Sequence, residues 1–371
     1  DLCHSRSSPL QKARLCPIHL HRLAKSRKGI RSGRRLSSSR SGKYPCKSPI
    51  HFSRFPGLLY ILVSCTRVIL KEVILELLHF IAQYRSPFFD SFFQTVTWLA
   101  QETVVVVIIC WFYWCLDKQK AYILGLTYFL SGLLVQGLKI TFRIPRPWIL
   151  DPDFHAVPSA LAGATGYSCP SGHTQSGTAL FSTLGFAAKK KSWKFLFFFL
   201  ILLIGFSRMY LGVHTPWDVA ISMILTFLLS AVVWYWAGPR LTKPEHTGKI
   251  ALGLFTVCVL LGIYTTVLYI TRIADPEMAE DALKACGAGL GFAIGYYLEG
   301  RCIRFSLPKT GKEKALRFTV GILSVILFMG IFEFTLKRTL WGSVLSYFLL
   351  ILWIVAGYPA VFCYREKRKK S

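Results

Sequence analysis

The sequence predicts an all-α fold, a multi-pass transmembrane helical bundle. Of the 371 residues, 53% are hydrophobic and 15% are aromatic, and the mean hydropathy is positive. The apolar residues gather in about nine stretches that reach or approach the ~20 residues a helix needs to cross a bilayer. The charges, formally +27 in sum, lie mostly between these stretches and in the two tails. The chain is therefore predicted to be a membrane protein rather than a pair of soluble domains.

Residues 1–54 differ in kind from the rest of the chain. They are rich in Arg, Lys and Ser, contain one acidic residue, Asp1, and show no apolar periodicity, so they cannot build a core. A transit peptide fits this composition, although no amphipathic Arg helix is evident. Because no Met precedes Met209, we favour a second interpretation, in which residues 1–67 are upstream sequence and translation starts at a non-Met codon near Val68. A basic, low-complexity segment 1–67 is expected to be disordered or absent from the mature protein.

Residues 68–93 carry apolar side chains at helical spacing with charged residues between them, which indicates an interfacial helix or a poor first span. Two of the later stretches, 174–188 and 284–298, are short for a crossing, and their Gly and Ala content indicates close packing inside the bundle. The nine candidate spans lie near 95–116, 121–138, 174–188, 193–212, 216–237, 250–270, 284–298, 316–334 and 340–363.

Basic residues fall on alternate connections between the spans, which is the positive-inside pattern of a membrane protein. This pattern predicts that 189–194, 301–317 and the tail 365–370 face the cytoplasm, whereas the acidic loop 275–281 faces outward. Nucleic acid is not an expected partner, because no stacking aromatics accompany the basic runs outside the spans. The eleven cysteines show no C-x2-C pair or metal-ligand spacing, so no disulfide framework is predicted, and Cys169 is expected to be a packing residue.

Three short polar clusters interrupt the apolar sequence: 139–147 (KITFRIPRP), 170–173 (PSGH) and 207–218 (SRMYLGVHTPWD). The first and third supply permanent cations that can neutralise a phosphate, namely Lys139, Arg146 and Arg208. The second offers backbone N–H groups at a predicted helix start, from Ser171, Gly172 and His173. Phosphoryl transfer needs such positioning and charge stabilisation, together with a nucleophile and an acid. The clusters therefore predict a phosphate site.

The spacing of these clusters resembles the signature of the type 2 phosphatidic acid phosphatases (PAP2), which are related to the vanadium haloperoxidases. That signature reads K-x6-R-P, then P-S-G-H, then S-R-x5-H-x3-D, and all its positions are filled here. The resemblance covers about residues 95–237. It implies a phosphatase core at 68–237, with 238–371 as additional transmembrane helices and a basic cytoplasmic tail.

The catalytic residues implied by this resemblance are His214, His173 and Asp218. The Thr215-Pro216 pair predicts that a helix begins just after His214, so that Asp218 can reach back and hold the ring as the aspartate of a triad does. Thr215 and Asp218 also fit a plain capping box. His173 is the candidate general acid, because an imidazole with an ordinary pKa near ~6.5 can protonate a departing alkoxide at neutral pH.

The phosphate-binding residues are predicted to be Lys139, Arg146, Ser171, Gly172 and Arg208. The polar loop 148–169 is expected to form a lid over the phosphate, since such a loop at membrane depth is tolerated only beside a cavity or above the surface. Four further residues near the clusters lie outside the signature or fit an aromatic belt, and we expect them to be surface, loop or interfacial residues: Arg143, Asp153, His155 and Trp148. Trp217 is expected to be interfacial as well.

The predicted function is hydrolysis of a lipid phosphomonoester or lipid diphosphate at the extracytoplasmic face of the cell membrane, through a phosphohistidine and without a metal or other cofactor. No carboxylate cluster suited to Mg²⁺ appears in the sequence. Two alternatives remain open: a phosphotransferase that passes the phosphate to another acceptor, and a non-catalytic phospholipid-binding protein. The expected partners are the phosphorylated lipid and the surrounding membrane lipids.

Overall fold

The computed structural model describes residues 72–336 and 339–368, and the predictions for residues 1–67 lie outside this range. The regular secondary structure of the described residues is helical throughout, as the sequence predicts. In chain order the helices are α1 (72–82), α2 (Pro87–Trp98), α3 (Glu102–Trp111), α4 (Lys118–Phe142), α5 (Pro147–Leu150), α6 (Pro158–Leu161), α7 (Gly172–Ala187), α8 (Lys191–Tyr210), α9 (Pro216–Val232), α10 (Pro244–Ile270), α11 (Pro276–Leu298), α12 (Gly311–Thr335), α13 (Leu340–Leu352) and α14 (Tyr358–Arg368).

In the described part of the chain, six helices are long and apolar enough to cross a membrane. They are Lys118–Leu150, Lys191–Tyr210, Pro216–Arg240, Pro244–Ile270, Gly311–Thr335 and Leu340–Tyr364. Two further helices, Pro87–Trp98 and Glu102–Leu116, meet at a bend of 42°. If the two together are counted as a single crossing, they form a seventh span. The protein is a multi-pass membrane protein, and seven of the nine predicted stretches correspond to these spans.

Helices α7 and α11, which cover the predicted stretches 174–188 and 284–298, are not among the helices selected by length and apolar composition alone. Helix α7 has 16 residues, fewer than the ~20 of a typical straight crossing, as the sequence predicts. Helix α11 has 23 residues, but its first half is charged and its second half is rich in Gly and Ala. A Cβ atom on Gly287 or Gly291 would meet a carbonyl oxygen of α13 at 2.5 or 2.4 Å, so the predicted close packing is confirmed for α11.

The helices around α4 bring the three polar clusters to one end of the bundle. Helix α7 packs against α4, α8 and α9, and α11 packs against α4, α10 and α13. The first polar cluster lies at the end of α4, the second begins α7, and the third joins α8 to α9. Helices α7 and α11 therefore both pack against the helix that carries Lys139.

A partly buried ion pair joins Lys118 of α4 to Glu299, the residue directly after α11, at the opposite end of the bundle. The ammonium group of Lys118 donates to Glu299 and to the carbonyl oxygen of Phe305, 3.0 Å away, and lies 4.0 Å from the centre of the Phe305 ring. The Tyr122 hydroxyl donates to the other carboxylate oxygen of Glu299, which is almost fully buried. The carboxylate thus binds two side chains of α4, and Lys118 also contacts the connection that carries Phe305.

The short loop between α8 and α9 is shaped by Gly212, which has a φ of 75°. This is the left-handed region, where a side chain is strained. A Cβ atom there would also lie 2.6 Å from a guanidinium nitrogen of Arg85. The Arg85 side chain donates to the carbonyl oxygens of Tyr210 at 2.9 Å and His155 at 2.5 Å, so it fixes this loop against the segment 148–169.

Candidate active site

The eight predicted site residues occupy the ends of four helices and the loops beside them. Lys139 lies in the last turn of α4, Arg146 is the N-cap of α5, and Arg208 lies in the last turn of α8. Ser171 is the N-cap of α7, which begins with Gly172 and His173. His214 lies in the α8–α9 loop, and Asp218 is the third residue of α9. Helix ends place charged side chains where the membrane-spanning apolar runs stop.

Asp218 serves as a helix cap and also faces His214. Its Oδ2 atom accepts the backbone N–H of Thr215 at 2.7 Å, and Thr215 accepts the N–H of Asp218 in return, so the predicted capping box is present. The same Oδ2 atom lies 3.5 Å from Nδ1 of His214. A carboxylate only accepts hydrogen bonds, so the tautomer that fits has its proton on Nδ1 and a lone pair on Nε2.

Arg146 lies against the His214 ring. Its Nη1 atom is 2.9 Å from Nε2 and 3.4 Å from Nδ1 of the imidazole. Two such similar distances to nitrogens on either side of one ring carbon place Nη1 over the face of the ring. The in-plane lone pair of Nε2, which is the one a nucleophile uses, therefore points away from this guanidinium.

The same guanidinium also ties two loops together. Its nitrogens donate to the carbonyl oxygens of Thr165, Gly166 and Val213, each at 2.8 Å. Thr165 and Gly166 belong to the segment predicted to be a lid, and Val213 immediately precedes His214. Arg146 therefore holds that segment beside the histidine.

The three cations lie near the two histidines. Arg208 and Lys139 affect His173 electrostatically, and Arg146 and Arg208 affect His214. Lys139, Arg146 and Arg208 are each less than a tenth exposed. The Nε atom of Arg208 is buried and has no hydrogen-bond partner among the described residues, although its Nη1 donates to Thr97 at 2.9 Å. A buried donor without an acceptor favours an anionic ligand.

The start of α7 lies beside Lys139. A Cβ atom built on Gly172 would lie 4.0 Å from Lys139 Nζ, and one built on Gly163 would lie 4.0 Å from Cε1 of His173. The N–H of Ser171 donates to the carbonyl oxygen of Asp218 at 3.1 Å, so it is already engaged within the protein. The N–H groups of Gly172 and His173 sit at the first helical positions, which have no acceptor within the helix.

The surroundings of both histidines favour their neutral form. Burial lowers the pKa of His214 well below its ordinary value; Arg146 lowers it further, whereas Asp218 raises it. Burial also lowers the pKa of His173 to about 3, with Arg208, Lys139 and Arg146 acting in the same direction. Neutral His214 retains the lone pair that a nucleophile needs.

A cavity of about 460 Å³ opens from Lys139, Gly172 and His173 and runs between α3, α4, α7, α11 and α13. His214 does not line it and is only 2% exposed. Gly163 and Thr165 of the predicted lid line the cavity together with His173. The part of the site reached from the cavity is therefore the side formed by Lys139 and the start of α7.

Two polar contacts of the site were not foreseen from the sequence. The Ser168 hydroxyl donates to Oδ2 of Asp218 at 2.5 Å, and the Thr97 hydroxyl accepts a hydrogen bond from Arg208. Ser168 lies two residues before the second cluster, which is the only sequence signal for it. Thr97 is a buried polar residue on the otherwise apolar last turn of α2, and nothing in the sequence relates it to Arg208, 111 residues away.

The residues predicted to lie outside the chemistry make other contacts. The Arg143 side chain donates to the carbonyl oxygen of Ile273 at 3.4 Å, and Trp217 is about half exposed. His155 contributes its carbonyl oxygen to Arg85. The Arg146 guanidinium carbon lies 5.9 Å from the centre of the Trp148 ring, so Trp148 does contact a site residue.

Comparisons with known proteins agree with the sequence signature. Residues 120–241 match the family model of the PAP2 superfamily, and residues 283–369 match that of the PAP2 superfamily phosphatase, transmembrane extension. The chain belongs to the PAP2 superfamily, as a helical membrane protein with a PAP2 core.

Three known proteins resemble the chain over different shares of its length. The chain is 27% identical over 246 residues, 60% of its length, to a probable sphingosine-1-phosphate phosphatase of Dictyostelium discoideum, covering 56% of that protein. It is 31% identical over 101 residues, 27% of its length, to undecaprenyl-diphosphatase BcrC of Bacillus subtilis, covering 49% of that protein. The chain thus spans about half the length of these relatives. The crystal structure of Aquifex aeolicus LpxE aligns with a TM-score of 0.40 at 29% identity, covering 44% of this chain and 96% of that one.

Proposed function

We propose that this protein hydrolyses the phosphate ester of a membrane lipid, or the terminal phosphate of a lipid diphosphate, with His214 as the nucleophile. The observation that carries this proposal is the buried His214, whose Nδ1 faces the Asp218 carboxylate while Arg146 covers one face of its ring. Neutral, oriented imidazole beside several cations suits attack on an anionic phosphorus centre. Two relatives bear names of lipid phosphatases, which supports the same reaction class.

The first step forms a phosphohistidine. The Nε2 lone pair of His214 attacks phosphorus, a P–N bond forms, and the P–O bond to the lipid alcohol breaks. His173 donates its proton to the departing oxygen, while Lys139, Arg146 and Arg208 stabilise the charge on the equatorial oxygens. In the second step, His173 takes a proton from water, the resulting hydroxide attacks phosphorus, and the P–N bond breaks to release phosphate. Asp218 stabilises the ring when it becomes cationic.

Whether His173 is protonated depends on whether the substrate is bound. Burial and three nearby cations oppose its protonation. A bound phosphate carries negative charge into the same place and offsets those cations, so the pKa of His173 rises when the substrate arrives. Protonation of the acid is in this way linked to occupation of the site.

The charge stabilisation in this mechanism comes from side chains, and we propose that it needs no metal ion. Phosphoryl transfer requires positive charge around the transferring group, and Lys139, Arg146 and Arg208 supply it within one cluster. Activity in excess EDTA should equal activity without it. Vanadate should inhibit by occupying the phosphate position, and a requirement for added Mg²⁺ would contradict this part of the proposal.

The decisive experiment measures products as well as rate. The full chain, purified in detergent, is incubated with phosphatidate, phosphatidylglycerophosphate, isoprenyl diphosphate and a sphingoid-base phosphate in ¹⁸O-labelled water. Release of phosphate carrying one ¹⁸O, absent in His214→Ala, supports hydrolysis. Transfer of unlabelled phosphate to an added lipid or sugar would show a phosphotransferase, and binding without any product would show a non-catalytic lipid-binding protein.

We further propose that the protein lies in the cell membrane with the site on the extracytoplasmic face, because basic connections alternate with the signature clusters. Ser159 in α6 and Ser192 in the first turn of α8 are both exposed and are predicted to lie on opposite sides of the membrane. A cysteine introduced at Ser159 should react with an impermeant thiol reagent in intact cells, whereas one at Ser192 should react only after permeabilisation. The reverse pattern would place the site in the cytoplasm.

A further inference from the structure

The cavity beside the phosphate cations has a wall from outside the 120–241 core. Helix α11 contributes Asp281, Lys284 and Ala288 to its lining, and α13 contributes Tyr347. On α4 the lining residues Phe129, Gly132, Gln136 and Lys139 recur every three or four positions, so they share one face of that helix over about 15 Å. The substrate that reaches the phosphate site from this cavity therefore meets the α11 wall.

The α11 wall contributes one carboxylate, that of Asp281, to the lining of the cavity. Asp281 lines the same cavity as Lys139, Gly172 and His173, and it acts electrostatically on Lys139. The one cation of this wall, Lys284, lies 2.9 Å from Glu280 and 3.8 Å from Asp281. Lys284 is thus paired more closely with Glu280, and Asp281 keeps the capacity to accept hydrogen bonds from a ligand.

A second acceptor lies on the facing helix. Gln136 is one turn before Lys139 on α4 and lines the same cavity. Its Oε1 atom is buried and has no hydrogen-bond partner among the described residues. A buried amide oxygen without a donor is costly unless a ligand or water supplies one. This oxygen and the Asp281 carboxylate are both hydrogen-bond acceptors that a donor on the ligand can satisfy. Neither is suited to bind a second phosphate group.

We infer that Asp281 and Gln136 recognise a protonated amine next to the phosphate of the substrate, and that they are specificity-determining residues for a lipid phosphate built on an amino alcohol. This inference rests on the proposed function and adds the chemistry of the head group to it. The cations bind the phosphate, and the acidic wall binds the ammonium group of the same molecule. A lipid diphosphate would bring a second anion toward Asp281 and is disfavoured by charge repulsion.

The test compares two lipid phosphates that differ only at the amine. One is a sphingoid-base phosphate, and the other is its N-acylated form, in which a neutral amide replaces the ammonium group. With the full chain in detergent, we expect kcat/KM to favour the amine. The Asp281→Asn variant should lose at least about tenfold of kcat/KM on the amine substrate and change less than about twofold on the amide, because one charge-assisted contact disappears. Retained turnover of the amide shows that the variant is folded.

Glu277→Gln is the matched control, since Glu277 is exposed on the same helix and does not line the cavity. It should leave the preference for the amine unchanged. Equal losses on both substrates in Asp281→Asn, or the same shift in Glu277→Gln, would overturn the inference.

Affinity measured on His214→Ala separates this inference from the proposed function. Tighter binding of the amine, abolished by adding Asp281→Asn, supports the recognition whether or not the protein turns the lipid over. Equal affinity for the two lipids, or tighter binding of isoprenyl diphosphate than of either, would contradict it. Absence of phosphate release from every substrate would count against the proposed function alone.

Discussion

His214 and Asp218 are joined through a single oxygen atom that also caps α9. Oδ2 of Asp218 lies 3.5 Å from Nδ1 of His214, accepts the N–H of Thr215 at 2.7 Å and accepts the Ser168 hydroxyl at 2.5 Å. The Asp218 carboxylate therefore contacts the His214 ring, caps the start of α9 and binds Ser168 just before the second polar cluster. A change at this carboxylate has both a stability effect and a rate effect, and these can be separated.

Asp218→Asn should lower kcat by about 10²- to 10⁴-fold, because an amide no longer favours the tautomer with the proton on Nδ1. The chain contains a matched control, since Glu313 forms the same type of capping box with Thr310 at the start of α12. Glu313→Gln should leave kcat within about twofold of the parent. Comparable losses of kcat in both variants, measured as phosphate release, would mean that Asp218 acts only as a cap.

The roles of the two histidines predict different responses to the leaving group. His214→Ala should abolish turnover and covalent labelling by phosphate on all substrates. His173→Ala should lose about 10²- to 10⁴-fold on a lipid alkoxide, yet much less on an activated aryl phosphate, whose oxygen departs without a proton. Steady-state rates on both substrates provide the measurement. Equal losses on both would remove His173 from the role of acid, and a labelled His214→Ala protein would place the nucleophile elsewhere.

The pH dependence of phosphoenzyme formation follows from the lowered pKa of His214. A histidine whose pKa is lowered stays neutral as the pH falls past ~6.5, so the nucleophile should remain available at about pH 5. With an activated aryl phosphate, single-turnover labelling should change less than about twofold between about pH 7.5 and about pH 5. A loss with a midpoint near ~6.5 would show that His214 titrates like an ordinary histidine.

The buried pair at the far end of the bundle predicts a large effect on stability. Replacing Glu299 by Leu leaves Lys118 without its partner carboxylate and should lower the free energy of unfolding by about 3 kcal/mol, seen as a lower Tm in detergent. The double variant Lys118→Met/Glu299→Leu should recover much of this loss. The more exposed pair between Lys120 and Asp117 is the control, and Lys120→Met should cost less than about 1 kcal/mol. Equal effects at the two pairs would contradict the assignment.

The sequence alone predicted the helical class, seven of the nine spans and the capping box. Those features depend on patterns within one stretch of chain, such as apolar length or the spacing of Thr215 and Asp218. The contacts of Ser168 with Asp218 and of Thr97 with Arg208 depend on how separate helices pack, and no local pattern reports them. The position of Arg146 over the His214 ring likewise depends on how separate parts of the chain pack together.

The two short stretches 174–188 and 284–298 show a further limit. Local hydropathy cannot distinguish a helix that meets lipid from one that meets other helices. Helix α11 uses Gly and Ala to approach α13 closely, and its charged first half faces the cavity at Asp281 and Lys284. Its polar residues interrupt the apolar pattern for a reason that is visible only in three dimensions.

The ion pair between Lys118 and Glu299 links residues 181 positions apart, so Lys118 is synthesised well before its partner carboxylate. By the time Asp218 has left the ribosome, the chain holds every residue of the phosphate signature. At that moment α11 does not yet exist, so the cavity lacks one side and Lys118 lacks its carboxylate. The nascent protein thus carries the groups proposed for cleavage well before it has the wall proposed to select the substrate. Synthesis of α11 and of Glu299, which follows it directly, adds both this wall and the carboxylate that pairs with Lys118 at the other end of α4.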